Sequence, residues 1–291
     1  MSLGALALVL ACSFAWSGLD LARKVLADRM RPVPLLFLLT VGPLPVFLGW
    51  VVLDGAVAVG RGYYLPGLAS VALNVAANVL FLASMRASPM SLTIPLLSLT
   101  PVFTSLLAMP LLGEYPSWRQ GAGIALAVVG ALLLNLGRGD RTSLSGMWLA
   151  FRRERGSVLM AAVALLWSFT PPLDKLAMEH ASVPLHALVL NLGVALAMLV
   201  QLLVQRRLGE LRAVRGALPP YAAAVLASAA ALGLQLLAIR VVLVGIVETI
   251  KRGIGCLMAV VLGRAVLGEP LTPFKMAAIA LMAAGVALIL V

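Results

Sequence analysis

Uninterrupted apolar runs of about 18 to 24 residues recur along this chain, separated by short stretches rich in arginine, proline or glycine. As helices, runs of that length match the hydrocarbon core of a bilayer, roughly 30 Å thick. A soluble domain of this size needs about a quarter of its residues charged to cover its surface. Here only 11% are charged and 62% are hydrophobic, with a mean hydropathy of +1.07. Lipid must therefore be the outer solvent, and in lipid only helices and closed barrels satisfy every backbone polar group. The runs do not alternate apolar with polar residues as barrel strands do, so helices are expected. The reading is an all-α integral membrane protein, multi-pass, in the cell (plasma or inner) membrane.

Charge and proline boundaries predict ten spans, near residues 3–26, 33–53, 66–86, 90–112, 117–136, 157–178, 184–205, 219–240, 243–266 and 272–291. The first begins at the N-terminus without a basic lead and continues through Trp16 and Leu21, so it reads as a retained helix rather than a signal peptide. The long polar interruption is residues 137–156, with Arg138, Asp140, Arg141, Arg152, Arg153, Glu154 and Arg155. It separates residues 1–136 from 157–291 as two five-span units. The net charge of +11 lies mostly in short connections, which fits positive-inside anchoring rather than nucleic-acid binding. Counting those arginines would put both termini outside the cell. Cys12 and Cys256 both fall in apolar runs and read as packing residues, with no metal or disulfide spacing.

The two units repeat. Leu112-Gly113-Glu114 returns as Leu267-Gly268-Glu269, 155 positions later, and at the same offset Ile124-Ala125-Leu126 meets Ile279-Ala280-Leu281 and Gly130 meets Gly285. Trp16-Ser17 precedes Lys24 by the same distance as Trp167-Ser168 precedes Lys175. Five spans is an odd number, so the second unit enters the membrane from the opposite side. This predicts two inverted repeats, the arrangement behind alternating access, with a substrate site near the midplane.

With the ten-span duplication, the closing signatures Pro101-Val102-Phe103, Leu112-Gly113-Glu114, Gln120-Gly121 and Gly130, then Leu267-Gly268-Glu269 and Gly285, resemble the EamA-type branch of the drug/metabolite transporter superfamily. The resemblance implies a transporter fold over the whole chain, and members are usually described with cytoplasmic termini. A narrower resemblance is to the sugar-phosphate/phosphate translocators of the same superfamily. These carry a Lys-Arg pair on the ninth span and a lysine on the sixth that hold substrate phosphate. Lys251-Arg252 and Lys175 stand at those places here, and Glu248 and Asp174 beside them depart from that pattern.

A charge within a hydrocarbon-length run is unfavourable by about 2.5 kcal/mol or more, so such residues mark candidate sites. Lys251 and Arg252 read either as an anion-binding pair or as an internal ion pair with Glu248 at helical spacing. Lys24 and Lys175 read as cavity lysines or as side chains snorkelling from helix ends. Asp20 stands one turn before Lys24 as its expected partner. Asn74 and Asn78 share one helix face and Trp16 and Trp167 are candidate pathway walls, each with helix packing as the plainer alternative. Four candidate cations against Asp20, Asp174 and Glu248 leave one positive charge, which suits a monoanion, a zwitterion or a partly neutralised phosphate better than a dianion. A buried carboxyl at Glu248 or Asp174 is a place for a coupling proton. Glu114 and Glu269 precede Ser117 and Thr272 between spans and read as structural, near helix caps. Prolines 89, 95, 101 and 110 interrupt the fourth span, and Gly253 and Gly255 the ninth, which points to those spans for the site.

The expected function is secondary-active transport of a small organic solute, anionic or zwitterionic, by exchange or proton coupling. The alternatives are a lipid-phosphate flippase and an exporter of amino acids or drug-like solutes. His180 and His186 sit at the sixth-to-seventh connection without ligand spacing, so no enzyme and no metal are expected. No cofactor and no nucleotide-binding loop are expected either. The expected partners are the small-molecule substrate, the lipid bilayer and a second copy of the chain in a homodimer.

Overall fold

The computed structural model describes residues 2–88, 94–136, 155–267 and 272–290. Every regular element among them is helical. The helices are α1 (Leu3–Ala27), α2 (Pro32–Val41), α3 (Leu44–Asp54), α4 (Tyr64–Ala87), α5 (Thr100–Leu112), α6 (Trp118–Leu136), α7 (Arg155–Ala177), α8 (Val183–Val204), α9 (Leu218–Val241), α10 (Val244–Leu267) and α11 (Pro273–Leu290). Short 3₁₀ turns lead into α4 (Arg61–Tyr63), α5 (Ile94–Leu99) and α9 (Leu208–Ala217).

Local chemistry accounts for the boundaries. Ser2 and Ser182 accept backbone N–H groups in the first turns of α1 and α8. Ser117 and Gln120 form a reciprocal capping box before α6, and Thr272 accepts the N–H of Lys275 before α11. Gly55 and Gly113 end α3 and α5 with φ of 69° and 66°, a conformation that disfavours side chains. Gly42-Pro43 divides the expected second span into α2 and α3, because proline removes a donor and crowds the preceding turn.

Among the described residues, seven helical stretches are long and apolar enough to cross a membrane. Two shorter apolar helices, at Leu96–Leu112 and Trp118–Leu134, accompany them. Leu3, Val52, Leu53, Leu65 and Val204 lie exposed on the outer surface, where lipid would cover them. The expected break in the fourth span is real at Pro95, since Ile94–Leu99 is 3₁₀ and α5 begins only at Thr100. However, α5 runs on through Pro101 in its first turn and Pro110 near its end, and Pro89 lies outside the described residues. The expected break at Gly253 and Gly255 is not: α10 runs unbroken through both. Gly253 faces the α11 side chain Val286, and a side chain at Gly255 would meet open space. An isolated glycine lowers helix propensity but does not end a helix whose flanks pack well.

The packing joins opposite halves. α4 lies along α7, α1 along α9, and α6 along α11, while α1 also meets α10 and α5 meets α7. α2 and α3 both pack on α8, and α5 packs on α10. Exchanging each span for its counterpart in the other half converts the α4–α7 pair into α9–α1 and the α1–α10 pair into α7–α5.

Small residues permit the closest contacts. A Cβ added to Gly285 would lie 2.5 Å from the Ala127 backbone nitrogen and 2.6 Å from the Gly123 carbonyl oxygen. One added to Gly123 or Gly130 would meet α11 backbone at 2.6 and 2.8 Å. The repeated Gly130 and Gly285 thus form one seam between α6 and α11. Because backbone cannot yield as a flexible side chain can, Gly285→Val is expected to lower stability by about 3 kcal/mol or more. Size-exclusion chromatography in mild detergent should show loss of the monodisperse peak, and a normal peak would refute the seam.

Candidate functional site

α1, α9 and α10 converge on a charged cluster inside the bundle. Glu248, only 4% exposed, accepts the Lys251 ammonium at 2.5 Å across one helical turn. Lys251 also donates to Gln235 Oε1 of α9 at 2.9 Å and lies 5.1 Å from the centre of the Trp16 ring of α1. The opposite-charge partner, the amide and the aromatic face together stabilise a half-buried ammonium. Arg23 approaches the Trp16 ring as well, at 5.7 Å, and the indole Nε1–H is buried without an acceptor among the described residues. Arg252 is half-buried on the next position of α10 and makes no hydrogen bond or ion pair among the described residues.

A second cluster stands at the end of α7. Lys175 donates to Glu114 Oε1 at 2.6 Å and to the Val242 carbonyl at 3.4 Å. The other Glu114 oxygen accepts the Val244 backbone N–H at 2.8 Å, at the start of α10. Glu114 is therefore structural, as expected, but it caps α10 rather than the helix that follows it. An anion at a helix N-terminus satisfies an orphan N–H and opposes the positive end of the dipole.

A third cluster is buried between α4, α7 and α8. Asp174, 3% exposed, accepts a short hydrogen bond from the Ser70 hydroxyl and lies 3.0 Å from His186 Nε2. His186 Nδ1 is 3.0 Å from the Tyr63 hydroxyl. Asn74 donates to the Ser70 carbonyl and hydroxyl, at 3.1 and 3.4 Å, and Asn78 to the Asn74 carbonyl at 2.8 Å.

The expected site residues are thus divided. Lys251, Glu248 and Trp16 come together, with Arg252 beside them on α10. Lys175 does not face them; it is engaged by Glu114. Lys24 is exposed near the end of α1, and Asp20 pairs with Arg23 at 3.2 Å instead of with Lys24. Trp167 packs against Phe81, ring centres 5.5 Å apart, within an apolar cluster of α4 and α7. Asn74 and Asn78 belong to the Asp174 cluster. Glu269 lies outside the described residues. Sequence reasoning missed Gln235, Ser70, Tyr63 and His186; His186 lies one turn inside α8, where an imidazole within an apolar helix was the available signal.

Residues 3–136 and 154–291 each match the EamA-like transporter family. The chain belongs to that family. It is accordingly a multi-pass integral membrane protein, and the family and fold point to a transporter rather than an enzyme. A solved crystal structure, described only as that of a protein, shares the fold at 17% identity with a TM-score of 0.78, covering 98% of this chain and 95% of that one. Among curated proteins, none matches this EamA-like transporter.

Proposed function

We propose that this EamA-like transporter is a secondary carrier of a small organic solute bearing one net negative charge or a zwitterion. In this reading ten spans form two inverted repeats, residues 1–136 and 157–291, that alternate access across the cell membrane by exchange or proton coupling. The pairing of α4 with α7 and of α1 with α9 supports it, because each is the counterpart of the other under exchange of halves.

The observation that carries the substrate's charge is Arg252. Glu248 neutralises Lys251, and Glu114 neutralises Lys175, so neither lysine offers a full positive charge to a solute. Arg252 has no such partner among the described residues. A guanidinium fork suits a carboxylate or a phosphate oxygen pair. The Trp16 indole N–H, also without an acceptor among the described residues, adds a donor on the neighbouring helix. A phosphate dianion would need both lysines free and fits less well.

Thermal-shift measurements on purified protein should separate the solute classes. A carboxylate or amino acid at a hundredfold excess over its Kd should add about 2.7 kcal/mol of stability, and a sugar phosphate at the same concentration should add less. Arg252→Ala should lose that shift. Stabilisation by neutral or cationic drugs alone would overturn the anion assignment.

A further inference from the structure

We propose that Asp174 and His186 form a reversible proton-binding site inside the membrane-spanning bundle. The geometry defines the site, and only the use of its proton in coupling rests on the carrier reading above. Asp174 is 3% exposed and His186 wholly buried, and the hydrogen bond between them joins α7 to α8. A carboxylate so placed is strongly disfavoured unless a positive charge or a proton accompanies it.

Among the described residues neither an ammonium nor a guanidinium does so. Lys175, the next residue, turns to Glu114. On the elements packed around the pair, the remaining titratable or charged groups are few. Arg61 and Arg86 are exposed at the two ends of the α4 span, Asp54 is exposed at the end of α3, and Arg240 is exposed at the end of α9. Arg155 is exposed at the start of α7, Tyr221 of α9 bonds the Leu38 carbonyl, and Tyr64 lies edge-on beyond Tyr63. α2 and α5 carry none. Imidazole is thus the group that decides whether this site holds a net charge, and it is the side chain that changes charge near neutral pH.

The contacts supply a route for the proton. With His186 neutral, Nε2–H donates to Asp174 and Nδ1 accepts the Tyr63 hydroxyl. On protonation the Tyr63 proton passes to Nδ1 and the Tyr63 oxygen takes another from outside, so one proton enters and none is lost. Tyr63 follows Gly62, and the exposed His180 ring lies against that glycine, where an added Cβ would sit 2.3 Å from its Nε2. The turn is therefore at the protein surface. On the other side, Ser70, Asn74 and Asn78 continue the polar chain toward the middle of α4.

The chain has only two histidines, which makes the test direct. Protein labelled with ¹⁵N-histidine and carrying His180→Gln has one imidazole to follow by NMR. We expect its ring signals to change reversibly as the pH is varied, with helical circular dichroism unchanged. Asp174→Asn should move the midpoint by more than about one pH unit, and Ser70→Ala should move it in the opposite sense, because the first removes the carboxylate that holds the imidazolium and the second removes a donor that screens that carboxylate. Tyr63→Phe should slow exchange of the ring proton with water at least tenfold. Should Asp174→Asn fail to fold, Ser70→Ala and Tyr63→Phe carry the test. An imidazole silent while the helices persist, titrating only as they melt, or indifferent to these substitutions would overturn the site. The titration reads the site whether or not the carried solute is an anion.

Discussion

Arg252→Ala is expected to abolish solute uptake into proteoliposomes while the protein stays folded. Arg252 has no hydrogen-bond or ion-pair partner among the described residues, so its removal leaves no buried group orphaned. Loss of a half-buried cation proposed to meet the solute should reduce uptake by about 100-fold or more. Lys251→Ala is expected to behave differently. It would leave Glu248, 4% exposed, without its ammonium, and breaking a buried pair from one side destabilises by about 3 to 5 kcal/mol. The double variant Glu248→Gln with Lys251→Met should regain most of that stability, because no net charge then remains buried. Uptake by Arg252→Ala within a few-fold of wild type would remove the guanidinium from the site. Equal melting temperatures for Lys251→Ala and wild type would show that the ion pair adds nothing to the fold.

The second large effect is expected at Glu114. One carboxylate there holds three chain segments: the turn after α5, the end of α7 through Lys175, and the start of α10 through the Val244 N–H. Glu114→Ala removes an ion pair and a helix cap together and should lower stability by about 3 to 5 kcal/mol. Glu114→Gln keeps an acceptor for Val244 and should lose less, while Lys175→Met leaves the carboxylate buried alone and should lose nearly as much as Glu114→Ala. In a Cys256→Ser background the buried Cys12 thiol gives a reporter, since a thiol-reactive dye then labels it only as the protein opens on heating. The expected order of melting temperatures is wild type, Glu114→Gln, then Lys175→Met and Glu114→Ala. Identical temperatures for all four would refute the clamp.

Much of this was legible in the residues. Apolar length gave the helical membrane class, and the doubled Leu-Gly-Glu signature gave the family. The Glu248–Lys251 contact was available from helical spacing, because residues three and four apart share a face. That same rule offered Asp20 two partners, Arg23 and Lys24, and could not choose between them. Contacts distant in sequence escaped entirely. Lys175 with Glu114, Lys251 with Gln235 and Asp174 with His186 each depend on which helices become neighbours, and apolar periodicity in lipid carries little of that information. Helix contacts there follow small residues and shape rather than a solvent-averse face. The Trp16 and Trp167 repeat shows the limit well. Equal placement in the two halves led to expecting equal duty, yet one ring covers an ammonium and the other packs on Phe81.

The pairing of helices across the halves has a consequence for how the protein is made. α1 finds its main neighbours in α9 and α10, and α6 finds its own in α11, all of them synthesised a whole repeat later. The early helices must therefore wait in the bilayer with their glycine and polar surfaces uncovered until α9, α10 and α11 have been inserted. Insertion of each helix can be sequential, but assembly cannot. A nascent chain stalled before Pro273 would present the Gly123 and Gly130 face of α6 to whatever helix lay nearby, which makes the arrival of the eighteen-residue α11 the step that commits α6 to its native partner.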